Sequence, residues 1–561
     1  MAEIPPAAAN SIEQVALEKP EPVTKKLHGR EFYKSIGCPK YIVAPMVDRS
    51  EFAWRMLSRS YMAPEESKSV LAYTPMFHSR LFREEAGYRN KMFQPIRAAA
   101  GHKGDNSQDL YLDGHPKIDR PLFVQFCAND PDDFLEAARH VAPYCDAVDL
   151  NLGCPQGIAR KGHYGAFLQE DWDLIYKLIN KLHNELPIPV TAKFRIQESK
   201  EKTLEYAKMI LSAGASIITL HGRTREQKGH NTGLADWSYI RYLRDNLPPE
   251  TVIFANGNNL NHDDLARCLE ATRADGVMSA EGNLSDPSIF AKPPPVGSEG
   301  REYWRGRDGK GGYRVDAVFR RYLDIVYKYI LDQTPPERKP LYILGDPEPS
   351  EEQFSQPEPT ATTEAASELQ QQGETVDGPP KKKQKRDKRQ KPTSGPRNGN
   401  YNNINAKYMQ PHLFQLFRPF IATHTNVRDA LARSYPSDMS TFEHTLSVLE
   451  AEVKKGMQEY EKNPKKFEHK PDPNLTGSKA VIAEYGRPWW VCQPHVRPTP
   501  EEAMEIGSMQ LSKKDRLKKP ENGVNGNEKV EVDATGLAQP SAGPASVDTP
   551  TTAAKDALLS G

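Results

Sequence analysis

Eight short apolar segments recur between residues 41 and 282, and helical patterns separate most of them. No other feature of the chain limits its possible folds as much. The segments are Tyr41–Met46, Ser69–Met76, Pro121–Ala128, Ala147–Gly153, Pro189–Ile196, Ser216–Arg223, Val252–Asn258 and Gly276–Gly282. Their short apolar runs, bounded by turn-forming residues, predict buried strands. Between them, Asp132–Tyr144, Asp171–Leu186, Thr203–Ala213, Trp237–Leu247 and Asn261–Ala271 repeat apolar residues at three- and four-residue spacing, which predicts helices. Eight strands alternating with helices over about 250 residues predict a (β/α)8 TIM barrel, of class α/β. An open doubly wound sheet is the structural alternative. It is disfavoured because polar motifs follow nearly every strand here, whereas an open sheet gathers them at one switch point.

The flanks read differently. Residues 1–37 form a flexible lead-in. The segment Asn90–Arg120, rich in Gly, Asp and Lys, interrupts the alternation and predicts a long loop after the second strand. Gly306–Gly312 follows no strand and fits neither Gly-rich phosphate motif, so it reads as a connector. Val315–Leu331 predicts an amphipathic helix. Phe319, Tyr322, Leu323, Val326, Tyr329 and Ile330 form its apolar face, with Arg314, Arg320, Arg321 and Lys328 outside it. Tyr408–Thr423, Val427–Ser434 and Met439–Lys465 also read as helices, and Leu446, Leu449 and Val453 make one stripe. These pieces, 310–344 and 401–470, predict a smaller all-α domain. It carries a disordered insertion over 345–400, where apolar residues nearly vanish. Within the insertion, Lys381–Lys391 carries eight Lys or Arg against one Asp. Such a run serves as a nuclear import signal, an RNA tether or a solvated linker. Trp489-Trp490-Val491-Cys492, within 480–500, is an apolar patch suited to docking on a folded domain. The tail over 510–561 has the composition of a disordered segment.

Lys plus Arg and Asp plus Glu both total 75, so net charge singles out no partner. The six cysteines (38, 127, 145, 154, 268 and 492) show no C-x-x-C pair and no zinc-ligand spacing. That points to a reducing compartment and away from a structural metal. The N-terminal stretch has no apolar core of a secretory signal, and no apolar run reaches the roughly 18 residues of a membrane helix. The expectation is an intracellular protein of the cytoplasm, the nucleus or both, a monomer with no membrane partner.

Chemistry-bearing residues fall at the predicted C-terminal ends of strands, where a barrel places its active site. Ala147–Gln156 starts as a strand and ends in Gly153-Cys154-Pro155. Gly153 would permit an unusual turn, and Pro155 ends ladder pairing. A thiol at that edge, beside Asn151, is protonated at pH 7 if its pKa is the ordinary value of about 8.5. Cys154 therefore reads as a proton donor, against the commoner fate of a buried structural cysteine. After the first strand, the turn Ala44–Ser50 can line a flat ring with its backbone, and Ser50 can cap the next helix. Gln125, on the third strand, needs partners of both kinds, which a flavin edge or neighbouring backbone supplies. Lys193 and Arg195 sit two apart on the fifth strand and share a face, so they need an anionic or electron-rich partner. His221 ends the sixth strand. Asn256, Gly257 and Asn258 end the seventh and Ala280 and Glu281 the eighth, the usual place of a phosphate in this barrel. There the Glu281 backbone N–H, not its side chain, would have to bind.

The ordered set Ala-Pro-Met-Val-Asp, Gln-Phe-Cys-Ala-Asn-Asp, Asp-Leu-Asn-Leu-Gly-Cys-Pro-Gln, Ala-Lys-Phe-Arg, His-Gly-Arg-Thr-Arg-Glu-Gln and Asn-Gly-Asn resembles the tRNA-dihydrouridine synthases. Within them it is most similar to the eukaryotic members that act at positions 16 and 17 of the D-loop. The likeness spans about residues 40–290 closely and the helical segments more loosely. It implies that the barrel, residues 38–295, binds FMN through Pro45, Met46, Val47, Gln125, Lys193, His221, Asn256, Gly257, Asn258, Ala280 and Glu281. It implies that Cys154 is the proton donor and that NADPH, or NADH, is the reductant, although no dinucleotide fingerprint is present. Many bacterial relatives carry Gly-Arg where this chain has Ala280-Glu281. Reduction of the uracil C5=C6 bond would take a hydride from reduced FMN to C6 and the Cys154 proton to C5. Lys193 would stabilise the anionic reduced ring, and Asn151 and Arg195 would hold the uracil carbonyls. Arg160, Lys161, His163 and Tyr164 would meet the tRNA, whose target base must leave the stack. Two rivals stand beside this reading. One is a flavoenzyme reducing a free pyrimidine or an enone, which has no need of the helical domain. The other is a non-catalytic RNA-binding protein on the same fold, which has no need of Cys154, Lys193 and His221 together.

Overall fold

The computed structural model describes residues 26–346 except 64, 403–467, 483, 485–494, 502 and 504. The basic run Lys381–Lys391, residues 1–25 and the tail beyond 510 lie outside the described residues, while the end of the expected flexible lead-in is a helix, Gly29–Ser35, because Phe32 and Tyr33 are buried in the core. Eight parallel strands form the barrel: β1 (Tyr41–Val43), β2 (Val70–Tyr73), β3 (Leu122–Cys127), β4 (Ala147–Leu152), β5 (Val190–Arg195), β6 (Ile218–His221), β7 (Ile253–Asn256) and β8 (Gly276–Ser279). Each pairs with the next, and β8 pairs back onto β1 through Ile42 and Met278, so the sheet is closed. The TIM barrel expected from the strand count is the observed fold, and the open-sheet alternative is excluded by closure.

The strands are shorter at their C-terminal ends than their apolar runs suggested. Residues 44–46, 222–223, 257–258 and 280–282 lie beyond the strands, although Ala44 N–H still donates to Ser279 O and Gly222 N–H to Asn256 O. Past these bonds the turn after β1 closes locally, with Met46 N–H donating to Ser50 Oγ at 3.0 Å. Ser50 therefore closes the turn after β1 instead of capping the helix Phe52–Arg59, whose N-cap is Glu51.

The strands carry two different faces. Val124, Phe126, Val148, Leu150, Ala192 and Phe194 are fully buried in the apolar core. The alternate residues Gln125, Asp149, Asn151, Thr191, Lys193 and Arg195 bring polar groups to the barrel axis. Register sets them side by side: Asn151 pairs with Lys193, Arg195 with His221, and His221 with Asn256. The buried Asp149 carboxylate accepts from Thr191 Oγ1 at 2.6 Å and from Gln125 Nε2 at 2.8 Å. Burial raises its pKa to about 6.

The stretch 90–120 is more than a loop. The helix Ala86–Met92 runs into it, and its Asp113 and Asp119 hold the helix Phe52–Arg59 from beneath. Arg55, fully buried, bonds Asp113 at 2.8 Å and Asp119 at 2.5 Å, and Arg59 bonds Asp119 at 2.6 Å. Its Arg97 also bonds Asp332 at 2.8 Å, just beyond the helical segment of residues 315–330.

That segment is an α-helix over Val315–Ile325 and a π turn over Val326–Ile330. It packs Phe319 on Phe417 and Tyr322 on Trp54. Helices Ile404–Lys407, Met409–Leu416, Thr425–Ala432 and Met439–Lys462 complete the helical region. It is seated on the barrel through its own side chains: Asn405 Oδ1 accepts from Ala53 N–H at 2.8 Å, and the His412 ring stacks on Trp54 at 4.0 Å. Three arginines expected to face outward are instead engaged. Arg314 is buried against Asp316, Arg320 bonds Glu450 and Arg321 bonds Glu302, because each lies where the helix meets a neighbouring segment. Trp490 is fully buried beside Trp304 and Phe467, and its carbonyl accepts from Val315 N–H at 2.9 Å. Among the described residues, no helix is long and apolar enough to cross a membrane.

Candidate active site

The C-terminal mouth of the barrel opens into a cleft of about 720 Å³. Of the residues singled out above, it gathers Pro45, Met46, Val47, Gln125, Asn151, Cys154, Lys193, Arg195, His221, Ala280 and Glu281. A second cleft of about 500 Å³ shares Arg195, His221, Ala280 and Glu281 and adds Asn256, Gly257 and Asn258.

Cys154 is fixed by Asn151. The Asn151 carboxamide oxygen accepts from Gly153 N–H at 3.1 Å and Cys154 N–H at 2.9 Å, a local turn of the kind asparagine favours. Its amide donates to Gln125 Oε1 at 2.8 Å. Thus Asn151 orients the thiol's turn, and these bonds engage both of its polar ends. Gly153 does not supply the unusual turn expected of it, because the Asn151 bonds shape the chain there. The left-handed glycine is Gly165, at φ +65°, and a Cβ there would meet the Cys154 carbonyl oxygen at 2.9 Å. The Cys154 thiol is partly exposed to the cleft, and burial pushes its pKa up. It is therefore protonated at neutral pH.

Lys193 is 7% exposed at the cleft floor. Burial, with the nearby Arg195 adding to it, lowers its pKa to about 8. No hydrogen bond or ion pair of its ammonium is found among the described residues. Arg195 donates to the carbonyls of Gly153 at 2.7 Å, Thr224 at 2.9 Å and Gln227 at 3.2 Å. It lines both clefts and ties the Cys154 turn to the loop after β6. His221 is buried, and burial and three cations hold its pKa well below 6.5. Its Nε2 accepts from Arg223 Nη1 at 3.1 Å, which leaves Nδ1–H as the donor.

In the second cleft Asn256 donates to Met278 O at 3.2 Å, while its buried Oδ1 has no partner among the described residues. Gly257 is left-handed at φ +116°, and a Cβ there would meet Ala235 Cβ at 2.6 Å and the His221 ring at 3.2 Å. The Asn258 side chain bonds Arg223, which also lines this cleft, and both backbone groups of Ala235. Ala280 and Glu281 open the short helix Glu281–Ser285 instead of extending β8.

Four predicted residues do not join either cleft. Arg160 and His163 are exposed. Lys161 is exposed on the helix Gly157–Lys161. Tyr164 is buried, packed with Cys127 and Ala159 behind Cys154, because its ring fills the space under that helix. The clefts also contain residues not singled out from the sequence, among them Arg49, Met76, Gln156, Arg223 and Thr232. Arg49 and Arg223 lay inside motifs already quoted, so their position in those motifs was the available signal.

The family described as dihydrouridine synthase matches residues 42–301. A Schizosaccharomyces pombe protein named tRNA-dihydrouridine(16/17) synthase [NAD(P)(+)] is 40% identical over 476 residues, covering 85% of this chain and 92% of its own. This chain belongs to the dihydrouridine synthase family. It is an enzyme, an oxidoreductase of that family. The Saccharomyces cerevisiae protein of the same name is 41% identical over 84% of this chain and 87% of its own. A second Saccharomyces cerevisiae dihydrouridine synthase, named for positions 20a/20b, is 30% identical over 49% of this chain and 70% of its own.

Proposed function

We propose that this dihydrouridine synthase reduces the C5=C6 bond of uridine to 5,6-dihydrouridine at positions 16 and 17 of the tRNA D-loop, with FMN as cofactor and NADPH, or NADH, as reductant. One observation carries the reading. A protonated thiol and a buried lysine whose ammonium makes no hydrogen bond or ion pair among the described residues line the same barrel-mouth cleft. The residues fit a bound FMN. The Lys193 ammonium has only the more distant Asp149 carboxylate to offset its charge and makes no ion pair, and Asn256 Oδ1 lacks a donor among the described residues. Gly257 brings bare backbone to the cleft where a Cβ would strike Ala235 and the His221 ring. Pro45, Met46 and Val47 would border the ring, with Gln125, Lys193 and His221 against its polar edge. Asn256, Gly257, Asn258, Ala280 and Glu281 would surround the phosphate. Bound and reduced, FMN supplies the hydride that the uracil C6 receives.

The chain's own residues do the rest. Cys154 gives its proton to C5, since its raised pKa keeps it loaded at neutral pH. Asn151 and Arg195 hold the thiol's turn from two sides. Lys193 offsets negative charge that builds in the cleft. Neutral His221 donates from Nδ1 without adding a further charge. Positions 16 and 17 are favoured because relatives named for them are 40–46% identical to this chain. Relatives named for 20a/20b are 30% identical. The reading is tested by mapping dihydrouridine in tRNA from cells lacking this protein, and by the absorbance of the purified protein near 450 nm, on the order of a flavin band. Loss of dihydrouridine at 16 and 17 alone is the expected result. An unchanged map, or a colourless and inactive protein, overturns it.

A further inference from the structure

The helix Gly157–Lys161 starts three residues after Cys154, and the Pro155 and Gln156 that lead into it line the cleft. It is fastened from below. Ala159 is fully buried against Tyr164 and Cys127, and Asn129 donates to Gly162 O at 2.9 Å. Above, Ile158 is 65% exposed. Single exposed apolar residues are common on proteins, so exposure alone decides nothing. Its neighbours make the difference. Lys161 lies one helical turn on, and both Arg160 and Lys161 are exposed with no ion pair among the described residues. Arg225 in the adjoining loop, by contrast, is tied to Glu170. An apolar tip flanked by two unneutralised cations, beside a reactive thiol, matches a nucleic acid strand: bases for the tip, phosphates for the cations.

This inference rests on the tRNA reading above. A uridine can reach Cys154 only after leaving its stack, and the gap left behind favours return of the base. We propose that Ile158 is a wedge that fills this gap beside the target nucleotide, while Arg160 and Lys161 hold the flanking phosphates. Ile158 is then a positioning residue and touches neither cofactor nor uracil.

The holoenzyme and its Ile158→Ala, Ile158→Leu and Tyr176→Ala variants test this on two substrates: unmodified folded tRNA, and a short single-stranded RNA carrying the same uridine. Tyr176 is an exposed aromatic on the outer helix Trp172–Glu185 and serves as control. Flavin content and the rate of reduction by NADPH without RNA should be unchanged in all. Ile158→Ala should lose at least tenfold in kcat/KM on folded tRNA and less than threefold on the single strand, with Ile158→Leu near wild type. 2-Aminopurine placed beside the target uridine should change fluorescence on binding wild type but not Ile158→Ala. Equal activity of Ile158→Ala and wild type on folded tRNA overturns the inference. So do equal losses on both RNAs, which would mean a contact to the uracil, and so does loss of flavin, which would mean a structural role. A wild-type protein inactive on both RNAs defeats the tRNA reading itself, and this inference with it.

Discussion

Lys193→Met should make the flavin-free protein more stable while weakening its hold on flavin. In the structure the ammonium is buried with no acceptor among the described residues, and its pKa falls from 10.5 to about 8. Each pH unit of that displacement corresponds to about 1.4 kcal/mol, so the charge costs the flavin-free fold about 3 kcal/mol at pH 7. Methionine has nearly the same length and no charge, which relieves the cost with little change in packing. Asp149 loses a favourable cation in the exchange, but Lys193 is the smallest influence on it, after burial and two hydrogen bonds. A net gain of about 2 kcal/mol remains, equivalent to a rise of about 2–4 °C in Tm for a unit of this size.

The gain depends on pH with a definite sign. Folding lowers the Lys193 pKa, so the unfolded chain binds more protons than the native one between pH 8 and 10.5. The wild-type penalty is complete below pH 8 and fades toward 10.5. Thermal melts of the flavin-stripped proteins should show the variant ahead at pH 7 and nearly level with wild type at pH 10. Added FMN should then favour wild type. A variant no more stable than wild type at pH 7, or a lead that persists at pH 10, would refute the claim that an uncompensated buried charge sits there.

Three other outcomes are expected. Cys154→Ala should bind flavin and be reduced by NADPH at nearly the wild-type rate, yet lose about 10²–10⁴-fold in the step with tRNA, as stopped-flow measurement of the two half-reactions will show. Asp119→Ala leaves the buried Arg59 without its carboxylate and Arg55 with Asp113 alone, and should cost about 3–5 kcal/mol by denaturant unfolding. Deleting 345–400 should leave flavin content and activity on tRNA intact while moving the protein to the cytoplasm, if Lys381–Lys391 is an import signal. Retained nuclear localisation by microscopy would assign that run another role.

The barrel was legible because its two strand faces obey different rules. Val148, Leu150 and Leu152 alternate with Asp149 and Asn151, and the outward apolar set is enough to mark a strand. Lys193, Arg195 and His221 were legible as site residues because charge at a strand's end needs a reason to be there. Partnerships were not legible. Asp149 sits in the middle of an apolar run, and nothing local says that Thr191, on the next strand, and Gln125, on the previous one, will bond it. The stretch 90–120 looked like a loop because its carboxylates serve arginines about 60 residues away in sequence. Tyr164 looked exposed because its sequence neighbours are charged, while its ring has a cavity to fill behind Cys154.

Those partnerships explain why the site takes the form it does. A thiol acid needs a fixed position and a raised pKa, and the two demands conflict, because groups that fix a side chain usually bring donors that stabilise its anion. Here the fixing is done at the backbone. Asn151 bonds the N–H groups of Gly153 and Cys154, Arg195 bonds the Gly153 carbonyl, and Ala166 N–H bonds the Cys154 carbonyl. The sulfur is left with burial as the largest influence on it, and only lesser influences oppose burial: the Gln156 N–H and the more distant cations. Moving either donor clamp, the Arg195 guanidinium or the Ala166 N–H, to the sulfur itself would hold the thiol as well and lower its pKa, turning a proton donor into a nucleophile. The side chains around Cys154 thus decide which of the two chemistries of cysteine this strand end can perform.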